Sequence, residues 1–310
     1  MFKKSIMILV AVALVATMVM APMVASADEL ADSLYFDVDF DSESVEDMAG
    51  NHTYDDLFNM EAGDLTFELD EELGKNVLVL EGDGALKWTN NNGETLNQYD
   101  LTGGLTMEML VYISTDAEEF KTNMCFFEAN ESALHFQEYN DGTDHSSGFR
   151  AGDGTPGAFI QADAYIEGNF PHMKWIHLVG VADASENRFY LNGELAAKVS
   201  RSGSSLQSMY NKGEGDIYVG ESGLGSMWGA TAVYGKIAFA RIYKAAATND
   251  DIGALYEAAT GNDAPVINDN VTPLPTKAPL VTDQPATFDL GLVSLAAVAL
   301  SSVVAVKKRK

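Results

Sequence analysis

Residues 34–199 form short runs of apolar, aromatic and β-branched side chains, separated by clusters of Gly, Asn, Asp and Ser. From Phe36 to Asp41 apolar and acidic residues alternate, which divides their side chains between the two faces of a strand. Asn192-Gly193 supplies the two positive φ angles of a type I′ turn and predicts a hairpin. Short strands bounded by turn residues are typical of a sandwich or a barrel.

One helix is predicted from Asn249 to about Ala259. Thr248 or Asn249 can cap it, acidic residues fill its first turn, and Gly261 follows its last turn. The chain has one cysteine, Cys125, in an apolar run, so a disulfide framework is excluded and burial alone must hold the core.

Both ends of the chain carry the composition of processing and attachment segments. Residues 1–27 begin with Lys3 and Lys4, continue with an apolar run and end in Ala25-Ser26-Ala27, so they are predicted to be a cleaved secretory signal. An uncleaved membrane anchor is the alternative. Residues 28–260 are expected to fold as one domain. Residues 261–288, rich in Pro and Thr, are expected to form an extended stalk.

The tail, residues 284–310, has the layout of an anchor. Its apolar stretch 290–306 can span about 26 Å as a helix, and the basic residues 307–310 would halt export and stay cytoplasmic. The segment Gln284–Asp289 resembles the sorting signals of clostridial surface proteins. That resemblance implies a sortase-like transpeptidase that joins Thr287 to the cell wall, with Pro285 and Asp289 completing the signal.

Phe288 departs from the commonest sorting signals, which carry Gly at that position. A plain transmembrane anchor is therefore the alternative for the tail. The formal net charge of −27 argues against nucleic acid as a partner, because that function needs clustered Lys and Arg.

Several segments occur in the order of a known family. The most specific are Trp175–Val181 and Phe189–Glu194, supported by Leu105–Ile113 and Ile217–Gly220. This order resembles the LamG-like, concanavalin A-like domains of bacterial surface proteins. The resemblance implies an all-β, antiparallel two-sheet jelly-roll sandwich with one short C-terminal helix, and the binding of glycans or proteins.

Aromatic side chains near Gly- and Asn-rich segments are the candidate ligand contacts. Trp228, in the segment 220–234, can stack on a sugar ring while nearby polar groups bind the hydroxyls. Trp88, beside Asn90, Asn91 and Asn92, is a second candidate, and the alternative for both is a ring that caps the edge of the sandwich. Tyr139 and His145 belong to a segment rich in Gly, Asp and His, which is expected to be a loop.

A structural calcium ion is a further candidate ligand. Asp37, Asp39 and Asp47 offer the hard oxygen atoms that calcium prefers, and a solvated acidic turn is the alternative. The resemblance gives less support, because Ala238 stands where the family often has an acidic residue.

Jelly-roll glucanases carry closely spaced carboxylates on one strand face, and that motif is absent from this chain. Glu128, Glu131 and Glu138 come closest, but their spacing does not keep them on one face. We therefore expect an exported, surface-anchored, non-catalytic module that binds a polysaccharide or glycoprotein. A protein-binding adhesin or assembly subunit is the main alternative, and a divergent glycoside hydrolase is a third.

Overall fold

The computed structural model describes residues 27–269 and 271, with gaps at 59–64, 83, 95, 97–98, 116–122, 130–132, 141–144, 156–157, 161, 208–214 and 222–229. The predicted signal segment before Ala27, the apolar stretch 290–306 and the sorting signal at Thr287 lie outside the described residues. No helix among the described residues is long and apolar enough to cross a membrane.

Two eight-stranded sheets pack face to face. Sheet A has the order β15-β14-β13-β6-β18-β4-β3, and β1 also pairs with β18. Its strands are β1 (Leu34–Asp39), β3 (Thr66–Asp70), β4 (Lys75–Glu81), β6 (Leu105–Ile113), β13 (Trp175–Ala182), β14 (Glu186–Leu191), β15 (Glu194–Ser200) and β18 (Tyr234–Tyr243).

Sheet B has the order β12-β9-β8-β7-β16-β5-β2, and β17 adds a short parallel pairing with β7. Its strands are β2 (His52–Phe58), β5 (Ala85–Asn90), β7 (Asn123–Ala129), β8 (Leu134–Asn140), β9 (His145–Ala151), β12 (Asp163–Glu167), β16 (Ile217–Val219) and β17 (Ala230–Thr231). A separate ribbon pairs β10 (Asp153–Thr155) with β11 (Ala158–Ile160). The predicted antiparallel sandwich is confirmed.

The main core lies between the sheets and is rich in phenylalanine. Close contact between the sheets requires a glycine on β13, because a Cβ at Gly180 would overlap the ring of Phe149 on β9. The predicted hairpin is also confirmed, since Asn192 and Gly193 have positive φ and join β14 to β15.

The predicted helix is confirmed as α2 (Asn249–Thr260). Thr248 caps its N-terminus in a capping box with Asp251, and Gly261 ends it in a left-handed conformation. A shorter helix, α1 (Ala27–Asp32), and a 3₁₀ turn (Phe40–Ser42) complete the fold. Leu30 of α1 packs with Ile252 of α2 in a second apolar cluster on the outer face of sheet A.

The first part of the predicted stalk packs on the domain. We name residues 262–269 and 271 the C-terminal strap. Pro265 lies against the Gly193 turn, Ile267 and Val271 join the cluster that contains Leu30, and the Asp269 carbonyl accepts a hydrogen bond from Lys198 at 3.0 Å. This part of the expected stalk is therefore packed rather than extended, and the part beyond residue 271 lies outside the described residues.

Candidate functional site

The outer face of sheet B is polar across six strands. Leu134 and Phe136 of β8 enter the core between the sheets, so His135 between them points away from it. The strand register places one side chain from each neighbouring strand in a row with His135. This polar row consists of Asp163 (β12), Arg150 (β9), His135 (β8), Glu128 (β7), Tyr218 (β16) and Lys87 (β5).

At one end of the row, Arg150 and Asp163 form a two-point ion pair, with Nη2 donating to Oδ2 at 2.8 Å and Nε donating to Oδ1. Burial alone would lower the pKa of Arg150. The electrostatic interactions with Tyr165 and Asp163 have the larger effect, so the pKa of Arg150 is raised. The guanidinium therefore stays charged and fixed in orientation.

Tyr165 crosses from β12 toward the middle of the face. Its hydroxyl donates to Oε1 of Gln137 at 3.2 Å and lies 3.3 Å from Nε2 of His135. Burial raises the pKa of Tyr165, so the phenol stays protonated and keeps its donor. Gly148 makes room for this ring, because a Cβ there would lie 2.8 Å from Cδ1 of Tyr165.

The other end of the row carries a cation between two acids. Nζ of Lys87 lies 3.2 Å from Asp55 Oδ2 and 3.1 Å from Asp216 Oδ2. Partial burial acts to lower the pKa of Lys87, but hydrogen bonds to both carboxylates raise it, so the ammonium stays charged. Tyr218 donates its hydroxyl toward Asp216 at 3.5 Å.

Cys125 lies on the same face, and its Sγ is 3.9 Å from Oε2 of Glu128. Burial raises the pKa of the Cys125 thiol well above its usual value, and the nearby carboxylates of Glu128 and Glu221 raise it further. A protonated, buried thiol is a poor nucleophile, which agrees with the expectation that Cys125 is a packing residue.

Four members of the polar row are buried, namely Arg150, His135, Glu128 and Tyr218, whereas Lys87 and Asp163 at its ends are half-exposed. Gln137 and Tyr139 are half-exposed on the same face. Tyr139 and His145 were expected in a loop, but they belong to β8 and β9, whose register joins Asn140 to His145. That loop prediction was wrong because β8 and β9 pair along their whole length, from Leu134↔Ala151 to Asn140↔His145, and this pairing outweighs the local content of Gly and Asp. Tyr139 thus shares a face with Gln137, and His145 is exposed at the hairpin end.

The two tryptophan candidates have different outcomes. Trp88 is fully buried between the sheets, and its Nε1 donates to the Val45 carbonyl at 2.7 Å. It therefore offers no ring face to a sugar, and its predicted binding role is wrong. Trp228 lies outside the described residues. The segment that carries it is flanked by Glu221, which follows β16, and by Ala230, which pairs with β7, so both flanks lie at sheet B.

The proposed calcium ligands have other partners. Asp47 accepts hydrogen bonds from the amides of Asp37, Ala49, Asn51 and His52 and from Nδ1 of His52. Asp37 and Asp39 both pair with Arg241. In the part of the chain that the structure describes, no group of three or more His, Cys, Asp or Glu is arranged to hold a metal ion. These hydrogen bonds and ion pairs, rather than a calcium ion, account for the positions of Asp37, Asp39 and Asp47.

The carboxylates considered for catalysis do not form a pair. Glu128 is on the outer face of sheet B, whereas Glu138 points the other way and pairs with Nε2 of His172 at 3.0 Å. Glu131 lies outside the described residues. A retaining glycosidase needs two carboxyl groups about 5–5.5 Å apart on one face, so Glu128 and Glu138 cannot serve together.

Residues 81–253 match the family model described as "Concanavalin A-like lectin/glucanases superfamily", the laminin G type 3 domain. The chain belongs to this family. Its two packed, mainly antiparallel sheets agree with the sandwich expected from the concanavalin A-like resemblance. A comparison with curated protein sequences found no significant match.

Solved structures with the same fold include a domain of an arabinanase and receptor-binding domains of botulinum neurotoxins. Domain 4 of AbnA, an extracellular arabinanase of Geobacillus stearothermophilus solved with arabinotriose, aligns over 72% of this chain and 98% of that domain, with 16% identity and a TM-score of 0.52. The receptor-binding domain of botulinum neurotoxin D aligns over 74% of this chain with 14% identity and a TM-score of 0.50.

A structure of botulinum neurotoxin type C, whose cell entry depends on two ganglioside molecules, aligns over 76% of this chain with 10% identity and a TM-score of 0.51. The alignment spans about half of each toxin structure, 53% in both cases. At these identities the likeness shows the concanavalin A-like fold alone.

Proposed function

We propose that the chain is an exported, surface-anchored, non-catalytic carbohydrate-binding module whose ligand contacts the outer face of sheet B. The polar row that crosses six strands of this sheet is the observation that carries the proposal. Polar side chains are usual on the solvent side of an antiparallel sheet, but most members of this row are also buried. This face carries hydroxyl, carboxylate, imidazole, guanidinium and ammonium groups.

The chemistry of the face suits a sugar. The half-exposed Tyr139 offers an aromatic ring beside the amide of Gln137, and Lys87 adds a donor further along the face. The buried Arg150–Asp163 pair and the Tyr165 hydroxyl hold the accessible groups in place, which lowers the entropy lost on binding. Trp228, from the segment flanked by β16 and β17, and the exposed His145 remain candidate contacts.

The solved structures support the same class of ligand. The arabinanase domain was solved with an oligosaccharide, and the type C neurotoxin interacts with gangliosides. Anchoring is supported by the tail, where Pro285, Thr287, Phe288 and Asp289 precede an apolar stretch and a basic end. On this proposal the partners are a polysaccharide or glycoprotein ligand, a sortase-like transpeptidase and the cell wall.

The test is binding of the secreted chain to a glycan array and to insoluble plant and bacterial polysaccharides. We expect Tyr139→Ala and Trp228→Ala each to weaken binding about five- to thirtyfold, since a stacked aromatic ring contributes on the order of 1–2 kcal/mol. Val266→Ala is the control, because Val266 is 94% exposed and lies on the strap rather than on sheet B. Absence of glycan binding by the unsubstituted chain would refute the proposal.

A further inference from the structure

Part of the outer face of sheet A is open to solvent. Val111, Ile176 and Ile237 point into the core, so the residues beside them point outward. The register joins five outward residues in one row across β13, β6, β18, β4 and β3, and all are half-exposed or exposed. This row, which we name the open strip, consists of Trp175, Tyr112, Lys236, Val79 and Thr66.

Aromatic rings form the floor of the open strip. Trp175 and Tyr112 pack edge to face with centroids 5.7 Å apart, and Nζ of Lys236 lies 5.6 Å from the Tyr112 ring centroid. Elsewhere on this sheet face, Val179 and Tyr190 are buried in one apolar cluster with Ile252 of α2 and with the strap residues Ile267 and Val271. The aromatic pair is thus left at the boundary between covered and open surface.

Acidic groups from β3 border the strip. Asp70 accepts hydrogen bonds from Nε1 of Trp175 at 3.2 Å and from Nζ of Lys236 at 3.0 Å. Glu68, which is more exposed, lies 2.6 Å from the same ammonium. Burial acts to raise the pKa of Asp70, but its hydrogen bonds with Lys236, Leu73 and Trp175 lower it, so the carboxylate stays ionised.

Two exposed apolar side chains flank the end of β6. Met173 donates its amide to the Ile113 carbonyl at 2.9 Å, and the Tyr234 carbonyl accepts from the Ser114 amide at 2.9 Å. Met173 is 58% and Tyr234 50% exposed. Met173 has a φ of 58°, a left-handed conformation that a Met residue rarely adopts. A strained backbone therefore holds an apolar side chain in water.

The size of the strip limits what can occupy it. The strip crosses five strands that lie about 4.8 Å apart. Along each strand it includes two outward residues about 7 Å apart, so its area is on the order of 150 Å². A stable protein interface needs about 800 Å² from each partner. Aromatic rings beside a carboxylate and an ammonium group instead match the apolar ring faces and the hydroxyls of a short oligosaccharide.

We propose that the open strip is a second carbohydrate-contacting site, on the opposite side of the sandwich from sheet B. Tyr234, Trp175 and Met173 contact the sugar rings, while Lys236 and Glu68 bind hydroxyl groups. With sites on both sheets, one molecule can hold two glycan chains, or two parts of one chain, with the gain in avidity that two linked contacts give.

The test uses the full secreted chain in affinity electrophoresis and calorimetry with a panel of arabinan, xylan, mannan and β-glucan. Met173→Ala and Tyr234→Ala are compared with Met48→Ala, which removes an equally exposed methionine, 60% exposed, from a turn away from the strip. We expect both strip variants to lose one of two binding sites, or at least fivefold in apparent affinity, with an unchanged Tm. Met48→Ala should bind like the unsubstituted chain.

The outcomes separate this site from the sheet B proposal. If the unsubstituted chain binds a polysaccharide at one site, and only Tyr139→Ala weakens it, the open strip is refuted while the function stands. Loss of binding in the strip variants alone would support the strip and refute sheet B. If the strip variants instead lose a protein partner with glycan binding unchanged, the strip is a protein contact and the inference is wrong.

Discussion

Asp47 shows how one carboxylate organises a turn at the start of the domain. Its two oxygens accept bonds from four backbone amides and from the His52 ring, and its side chain is fully buried. Burial acts to raise the pKa of Asp47, but the bond to His52 and the backbone amides lower it below its usual value. The carboxylate is therefore ionised at neutral pH and acts as a structural acceptor rather than a metal ligand.

Asp47→Ala should lower the free energy of unfolding by about 2–4 kcal/mol at pH 7, because it leaves several buried donors without an acceptor. Since the folded pKa of Asp47 is lowered, its contribution is complete above the unfolded pKa of about 4 and is lost as pH falls further. The difference between the two proteins should thus shrink in urea unfolding curves taken below pH 4. Glu46→Ala, at an exposed neighbour, should be nearly neutral.

At the scale of elements, packing against helix α2 and sheet A orders the strap, which its composition alone would not do. The strap begins a longer segment with the Pro-rich composition of a linker, yet its Ile267 and Val271 pack into an apolar cluster built by Val179, Tyr190 and Ile252. Asn249 donates to the Asp269 side chain at 3.0 Å and Lys198 to the Asp269 carbonyl, so the segment is bound at its polar positions too.

Two adjacent strap residues provide a matched comparison. Ile267 is half-buried in the cluster, whereas Val266 is 94% exposed. Ile267→Asp should lower the free energy of unfolding by about 2 kcal/mol through lost burial and a desolvated charge. Val266→Asp should change it by less than about 0.5 kcal/mol. Equal Tm values in thermal unfolding would show that the strap is not part of the cooperative unit.

The strands with clear local signals could be predicted, and so could α2. Alternation along β1, the Asn192-Gly193 turn and the Thr248 cap all act within a few residues, and the structure agrees with them. The polar row could not be predicted, because it depends on the register of six strands that are distant in sequence. Alternation along residues 134–140 does place His135 and Tyr139 on one face, but it does not show which side chains of other strands lie beside them.

The burial of Trp88 also could not be predicted from the residues next to it in the sequence. Asn90, Asn91 and Asn92 follow it, which indicates a loop, but β5 pairs on both sides and places the ring against Phe36 and Tyr54. Burial of a large aromatic side chain is decided by the partner strands, and those lie far away along the chain.

At the scale of the whole molecule, the described segments nearest the two ends of the chain pack on one side of the sandwich. Sheet A carries α1, α2 and the strap on its outer face, while sheet B carries the polar row on the opposite side of the sandwich. The proposed anchor follows the strap, and among the described residues the segments nearest the chain ends lie on sheet A rather than at the proposed sheet B site.

The anchor itself is open to a direct measurement. If a sortase-like enzyme processes the tail, mass spectrometry of protein released from the cell wall should place the last protein residue at Thr287. Thr287→Ala should leave residues 288–310 attached and shift the protein from the wall to the membrane fraction. Finding residues 290–310 on the wall-released protein would instead indicate a membrane anchor.

Leu30, near the start of the described residues, and Val271, near their end, pack in one cluster. The two ends of the described domain therefore lie close together in space. Such a unit can be inserted into a surface loop of a host protein, or circularly permuted, with little disturbance of either sheet. A gene that acquired this domain would not need to place it at a terminus.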